Sequence, residues 1–385
     1  MSNRLRFQDT GKGSFFGDFV YEQLIPRDHF LVALEQLFDW ESLTAQLIQL
    51  YKGQGLIGRA PYPPVLVFKM LLLSYLYGVS ERQMQELAQY HLAVKWFLGL
   101  ALHEDAPDHS TLTKFKARLL QDKGEKLLDG IFSGVLQQAR AQGLELGSLQ
   151  VLDSVHTQAD VNLDKDDKRQ SQGQAPRDPD ARVVDKGERD VVEADGTRVK
   201  RHLRYKGYKT HVAVNAQTGI VTSLSATPGN RADNKAAVEV IRRDEEQNLG
   251  VKAYGGDKAY DDTDLFSRLL ALGLRGFFCL RRFRTHKRDA NKEVWLALEA
   301  DPEYQAARAQ RYRVEQPFGP AKQKHGLGRC RYLGLERFRI QALLTFMVSN
   351  LKRIVKLLTG LSFRPLAKGR RAEKLRPVYA SLPWA

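Results

Sequence analysis

Three acids and a group of cations in this chain have the types and the setting to act on a phosphodiester. Asp153 closes the short apolar run Leu149-Gln150-Val151-Leu152, and Asp257 follows a second run, Val251–Gly255. Both runs read as buried strands, and a layered sheet brings neighbouring strand ends together however far apart they lie in the chain. Glu315 stands at the end of a predicted helix over Pro302–Glu315. Carboxylate oxygens are hard ligands suited to octahedral Mg²⁺ or Mn²⁺. Two such ions roughly 3.5–4 Å apart serve the attacking and leaving oxygens of a phosphoryl transfer. Clustered acids repel one another unless cations neutralise them, so Asp153, Asp257 and Glu315 are read as a catalytic, metal-ligating trio for two ions.

The basic neighbours fit that chemistry. Arg308, Arg311 and Glu315 fall at i, i+3 and i+7, one face of a helix. The planar fork of an arginine takes a phosphate in bidentate fashion. Pro317, Gly319 and Pro320 end or bend the helix, which brings Lys322 in from a loop. Lys324 belongs to the same basic stretch, and Arg281-Arg282-Phe283-Arg284 combines cations with a ring suited to backbone contact or base stacking. Arg281, Arg282, Arg308, Arg311, Lys322 and Lys324 are therefore the candidate DNA contacts. His325 reads as part of the Lys322–Gly326 contact loop, and His156 as a structural neighbour of Asp153 outside the site.

Charge singles out the same region. The net charge is +15, yet residues 275–385 hold 25 Lys and Arg against 8 Asp and Glu, a net of +17. The rest of the chain therefore nets −2. Segregation of this kind points to a polyanionic partner, most simply nucleic acid. Hydrophobic residues at 43% and charged residues at 27% exclude wholesale disorder. The most apolar runs, Met70–Tyr77 and Ile340–Val348, are too short to span a bilayer, and no signal-like start is seen, so a cytoplasmic protein is expected. Cys279 and Cys330 stand alone, which argues against a disulfide framework or a zinc site.

The elements that must position these residues fall into three regions. Residues 1–145 read as helical: Pro63-Pro64 open an apolar stretch that ends at Gly78, Ser80 and Gln83 make a capping box, and Ser110 caps a helix over Thr111–Leu120. The short turn between the first two helices has a helix-turn-helix flavour, which makes this a DNA-binding or dimerisation domain. Residues 146–358 read as an α/β layer with helices on both sheet faces. It contains a polar loop insertion at about 164–204, a hairpin of Tyr208–Val214 with Ile220–Thr227, and strands at Val251–Gly255 and Gly276–Leu280. Asp233 caps the helix Asn234–Asn248, a long helix covers Leu335–Leu358, and residues 359–385 form a basic tail.

The residues now on the page resemble the DDE transposases of bacterial insertion sequences, in particular the IS-five-like, InsH-type group with a Tyr-x2-Arg-x3-Glu-x6-Lys signature. Arg311, Glu315 and Lys322 match its last three members in register, and Asp153 in Val-Leu-Asp-Ser and Asp257 in Gly-Asp-Lys-Ala-Tyr-Asp look like its two aspartates. The stretches Tyr205–His211, Pro228–Asp233, Val314–Gly319, Leu72–Arg82 and Ser349–Arg353 are similar to family blocks, so the likeness covers roughly residues 20–358. It departs at position 308, where Arg308 replaces the signature Tyr. Either a nearby ring, Tyr304 or Tyr312, takes that role, or Arg308 contacts phosphate itself. The resemblance implies an RNase-H-like catalytic domain using two Mg²⁺ (or Mn²⁺) ions. It further implies a homodimer acting on double-stranded DNA at inverted-repeat ends and at a target, in the bacterial cytoplasm on the nucleoid. The alternatives are an RNase-H-like nuclease that cuts without joining, and a non-catalytic DNA-binding protein derived from a transposase. Because phosphate contacts release counterions, log affinity for duplex DNA should fall linearly with log salt, by about 0.9 per contact. A titration from low to moderate salt that leaves affinity unchanged would remove the basic C-terminal third as the DNA surface.

Overall fold

In the computed structural model, residues 7–11, 15–51, 60–121, 124–192, 196–280 and 297–364 are described. The candidate contacts Arg281 and Arg282, and nearly all of the basic tail, lie outside them. The N-terminal part contains helices α1 (Phe15–Leu24), α2 (Phe30–Leu37), α3 (Trp40–Thr44), α4 (Pro64–Tyr77), α5 (Glu81–Tyr90), α6 (Leu92–Phe97), α7 (His109–Leu119) and α8 (Gly124–Ala141). Then come β1 (Ser148–Gln158), α9 (Leu163–Ser171), β2 (Arg182–Val192), β3 (Arg198–Asn215), β4 (Val221–Pro228), α10 (Asp233–Glu246), β5 (Val251–Gly256), α11 (Thr263–Ala271) and β6 (Arg275–Phe278). Helices α12 (Pro302–Gln310), α13 (Phe318–Lys324) and α14 (Leu335–Thr359) follow.

Helix α4 is apolar all round and is buried on nearly every side, as such a helix must be. It ends where the sequence expects: Gly78 adopts φ +66°, and a Cβ there would stand 2.3 Å from the Lys324 carbonyl oxygen. The end of α4 is thereby pressed against the end of α13. The Ser80–Gln83 capping box forms as read, while α7 is capped by Asp108, whose carboxylate accepts from the Ser110 N–H at 2.8 Å, rather than by Ser110. Among the described residues, no single helix is long and apolar enough to cross a membrane.

The sheet runs β2-β3-β1-β5-β6, with β4 paired to β3 beyond the end of β2. Strands β1, β5 and β6 are parallel, and β3 is antiparallel to its neighbours. Helices α10 and α11 bury Val240, Ile241, Leu265 and Leu269 against Leu152, Ala213 and Tyr254 on one face. On the other face, Val151, Val155, Tyr208 and Val212 join a core shared with α14 and the N-terminal helices, and α12 sets Tyr304 and Ala307 on Ala253 and Phe277. The long helix α14 is the spine between the two halves of the chain. Asn350 pins it: its side-chain amide donates to the Val221 carbonyl at 2.7 Å and accepts from the Val221 N–H at 2.9 Å.

Two expectations change here. The stretch 164–204 is not a single loop: its described residues include α9, β2 and the first half of β3, with Arg182–Val192 paired along Arg198–Gly207. The arm carries charged side chains where apolar ones would betray a strand. It is tied down by the buried Lys206–Asp166 ion pair and by the Tyr208 hydroxyl, which donates to the Asp178 carboxylate at 2.6 Å. The strand before Asp153 does not stop there either. It continues to Gln158 because β3 pairs with it throughout, whereas its parallel partner β5 leaves at Val151. Asn350→Ala would strip two buried backbone groups of their partners, so it is expected to cost about 2–4 kcal/mol in urea unfolding. A loss under about 0.5 kcal/mol would mean the amide clamp does not seat α14.

Candidate active site

The last parallel rung of β1 and β5 pairs Val151 with Gly255. Two residues beyond it on each chain stand Asp153 and Asp257, on the face that carries Val151 and Val155. Asp153 also accepts the Ser154 N–H at 2.7 Å, and Asp257 caps a single 3₁₀ turn by accepting the Ala259 N–H at 2.7 Å. That turn carries Tyr260 under the acids, buried and stacked on Phe278, with its hydroxyl pushed well up by burial and by the nearby Asp233, Asp153 and Asp257. Gly256 makes room for it, since a Cβ there would meet the Tyr260 ring at 2.8 Å.

The predicted helix through Glu315 is broken. Helix α12 stops at Gln310, residues Arg311–Glu315 form a 3₁₀ turn, and α13 begins at Phe318. Pro317 has no N–H to give the Arg313 carbonyl, and the Gln316 N–H bonds to that carbonyl instead at 3.2 Å, which tightens the turn. Arg308, Arg311 and Glu315 consequently do not share one face. In a three-residue turn, positions i and i+3 eclipse, so Arg311 lies on the side of Val314, which is buried in the core against β1. Glu315 comes one step round and is exposed.

The electrostatics follow from this placement. Burial pushes the Asp153 carboxyl up to about 6, and Asp257 and Asp233 add to the rise. The Ser154 N–H and the Arg311 guanidinium oppose it. Asp153, Asp257 and Arg311 are thus brought together. Lys322, on α13 rather than on a loop, lies close enough for its charge to bear on His156, while Lys324 bears on Lys352, away from the acids. Arg308 is exposed, its guanidinium 5.5 Å from the Tyr304 ring centre. Tyr304 is buried and gives its hydroxyl to the Phe278 carbonyl at 2.9 Å, so it is committed to the core; Tyr312 is exposed beside Arg313. Among the described residues, no three acid, His or Cys side chains are gathered closely enough to hold a metal ion unaided.

Several residues here escaped the sequence reading. Asp233 is the first residue of α10, and Ala232 occupies the cap position. The Asp233 carboxylate instead takes Lys209 Nζ at 3.2 Å and lies 3.2 Å from His211 Nδ1, and these partners with Ser154 hold its pKa well below the usual carboxylate range despite burial. His156 sits beside this cluster, its pKa lowered to about 3 by burial and by Lys209, Lys186 and Lys322. The stretches Tyr205–His211 and Pro228–Asp233 were visible as blocks, but nothing in their spacing told of this pairing. His325 is not a contact-loop residue: it is buried, with Nδ1 2.8 Å from the Tyr75 carbonyl oxygen and Nε2 3.0 Å from Lys352 Nζ.

Residues 178–351 match the transposase DDE domain, and residues 19–118 match a transposase domain (DUF772). The chain belongs to the DDE transposases. It is an enzyme of DNA cleavage and strand transfer, from a family that is generally divalent-metal dependent. Among solved structures, the transposase is similar to a piggyBac transposase synaptic complex with hairpin DNA, determined by cryo-EM. The two share 9% identity at a TM-score of 0.41, over 92% of this chain and 78% of that one. Asp257 and Glu315 fall within the DDE-domain match, and Asp153 falls between the two matched stretches.

An acid whose folded pKa lies above its unfolded value destabilises the fold increasingly as pH rises between the two, here from about 4 to about 6, and fully above that. Asp153→Asn in the metal-free transposase is therefore expected to raise stability at pH 7.5 by on the order of 2 kcal/mol and to have little effect below pH 4. Mg²⁺ should stabilise the wild type more than the variant. Urea unfolding at both pH values checks this, and a variant less stable than wild type at pH 7.5 would contradict it.

Proposed function

We propose that this transposase excises and inserts an insertion sequence of the IS-five-like kind, with Asp153, Asp257 and Glu315 as its catalytic acids. The observation that carries the reading is the β1–β5 register, which sets Asp153 beside Asp257 with Arg311 in electrostatic reach. The donor set fits a pair of Mg²⁺ or Mn²⁺ ions: it is all oxygen, and it includes a carboxyl whose charge is penalised by burial and by a second acid. Asp153 and Asp257 would hold the ions from the sheet, and Glu315 would close the set from the exposed 3₁₀ turn. When bound, such ions lower the pKa of an attacking oxygen and neutralise charge on the leaving one.

The remaining roles fall to the chain's own cations. Arg311, facing the acids, orients the scissile phosphate through its planar fork. Lys322 supplies positive charge along the same side, and Arg308, free of the core, contacts the backbone further out. Lys209 and His211 hold Asp233 in place behind Asp153, which keeps that end of β1 rigid while water, and then a freed 3′-hydroxyl, attacks. Two element ends call for two active sites, hence a homodimer on double-stranded DNA with related surfaces facing each other. Its substrate places the enzyme on the nucleoid in the cytoplasm. Glu315→Gln keeps the side chain's shape and removes its charge, so strand cleavage is expected to fall at least 100-fold while binding to end DNA stays within about threefold. Cleavage at near wild-type rate would remove Glu315 from the site, and cleavage without joined products would identify a nuclease instead.

A further inference from the structure

Behind the Glu315 turn lies a second basic feature that the catalytic reading leaves unused. Gln316 and Pro317, from the segment just after Glu315, line a solvent-open cavity of about 230 Å³ together with Ser349, Lys352, Arg353 and Lys356 of α14 and Phe363 beyond it. Three cations line it and, among the described residues, no carboxylate does. Asn350 fixes α14 to β4 at this point, so the cations are set by a rigid helix. Arg353 spends its Nε on the Thr218 carbonyl at 2.7 Å, which leaves the two terminal nitrogens of its fork for another acceptor. His325 Nδ1 faces the Tyr75 carbonyl oxygen and so carries the ring proton, which makes Nε2 the acceptor for Lys352 Nζ at 3.0 Å. That bond holds the half-buried ammonium without neutralising it. Burial, and after it the nearby Lys324, lower the Lys352 pKa to about 8. The Ser349 hydroxyl is buried there with no partner among the described residues.

We propose that this cavity is a phosphate subsite that grips one phosphodiester of the bound DNA a short distance from the scissile one. The inference rests on the transposase reading of the chain but not on the assignment of Glu315. With Lys352, Arg353 and Lys356 on one side and the Glu315 turn on the other, a phosphate seated here would fix the strand relative to the acids.

The test is binding of a fluorescent end-DNA duplex to the full chain across a salt series. Lys356 is exposed on the last turn of α14, so Lys356→Glu should leave the unfolding midpoint unchanged. It should weaken DNA binding about 10-fold and lower the log–log salt slope by about 0.9, one phosphate contact. Arg353→Lys, which keeps the charge but loses the fork, should weaken binding less than Lys356→Glu. A Lys356→Glu protein with wild-type midpoint, affinity and slope would overturn the proposal. So would protection of the fold by inorganic phosphate that Lys356→Glu abolishes while its DNA slope stays wild type, because the pocket would then serve free phosphate. The two readings fail separately: cleavage surviving Glu315→Gln removes the acid assignment and leaves the salt slope as the judge of the pocket.

Discussion

Carboxylates gather in a half-buried place only when the backbone obliges them to, and here the obligation is a parallel register. Val151 opposite Gly255 is the last shared rung of β1 and β5, and the next position on the same face of each strand's path is an aspartate. The consequences are electrostatic. Asp153 pays for burial and for Asp257 at once, and its carboxyl rises to about 6. Tyr260 is buried close enough to feel the charge of Asp153, Asp257 and Asp233, which push its hydroxyl further up. The surrounding groups answer that crowding: Arg311 from the 3₁₀ turn, and Lys209 and His211, which hold Asp233. A site under such tension is unfavourable empty and favourable once positive charge arrives, which suits an enzyme of a divalent-metal-dependent family.

The second constraint is mechanical. The catalytic sheet does not stand apart from the N-terminal helices, because α14 contributes to a core that runs from α4 to Val151 and Val155. The contacts at the end of α4 show the coupling in detail. Gly78 meets the Lys324 carbonyl, Tyr75 meets His325, and His325 in turn holds Lys352. A shift of α4 would therefore be felt at α13, which carries Lys322 and Lys324. The N-terminal region thus braces the basic surface as well as whatever it contacts itself.

Much of the layout was legible in the sequence because it depends on local rules. The capping box at Ser80, the apolar run stopped by Gly78, the β3–β4 hairpin and the alternation of strand and helix after residue 230 all express periodicity and turn chemistry. The polar stretch 164–204 misled because a strand arm outside the core need not alternate apolar residues; its backbone ladder and one buried ion pair are enough. The helix over Pro302–Glu315 misled for the opposite reason. Its side chains favour a helix, and the obstacle is the missing N–H of Pro317, which acts backward on the preceding turn.

The sequence by itself determined the inventory: two aspartates after apolar runs, a glutamate among arginines, and a positive charge confined to the last third of the chain. Those facts depend on residue type and local order, which the chain carries whatever its fold. Tertiary structure decided the pairings. Which aspartate stands beside which is a matter of strand register, and which arginine faces them is a matter of three residues per turn rather than 3.6. That Asp233 is bound to Lys209 and His211, and that His325 is a buried brace rather than a surface contact, follows from elements meeting across the sheet and between α4 and α13. Contacts of that kind join residues far apart in sequence, and no local pattern records them.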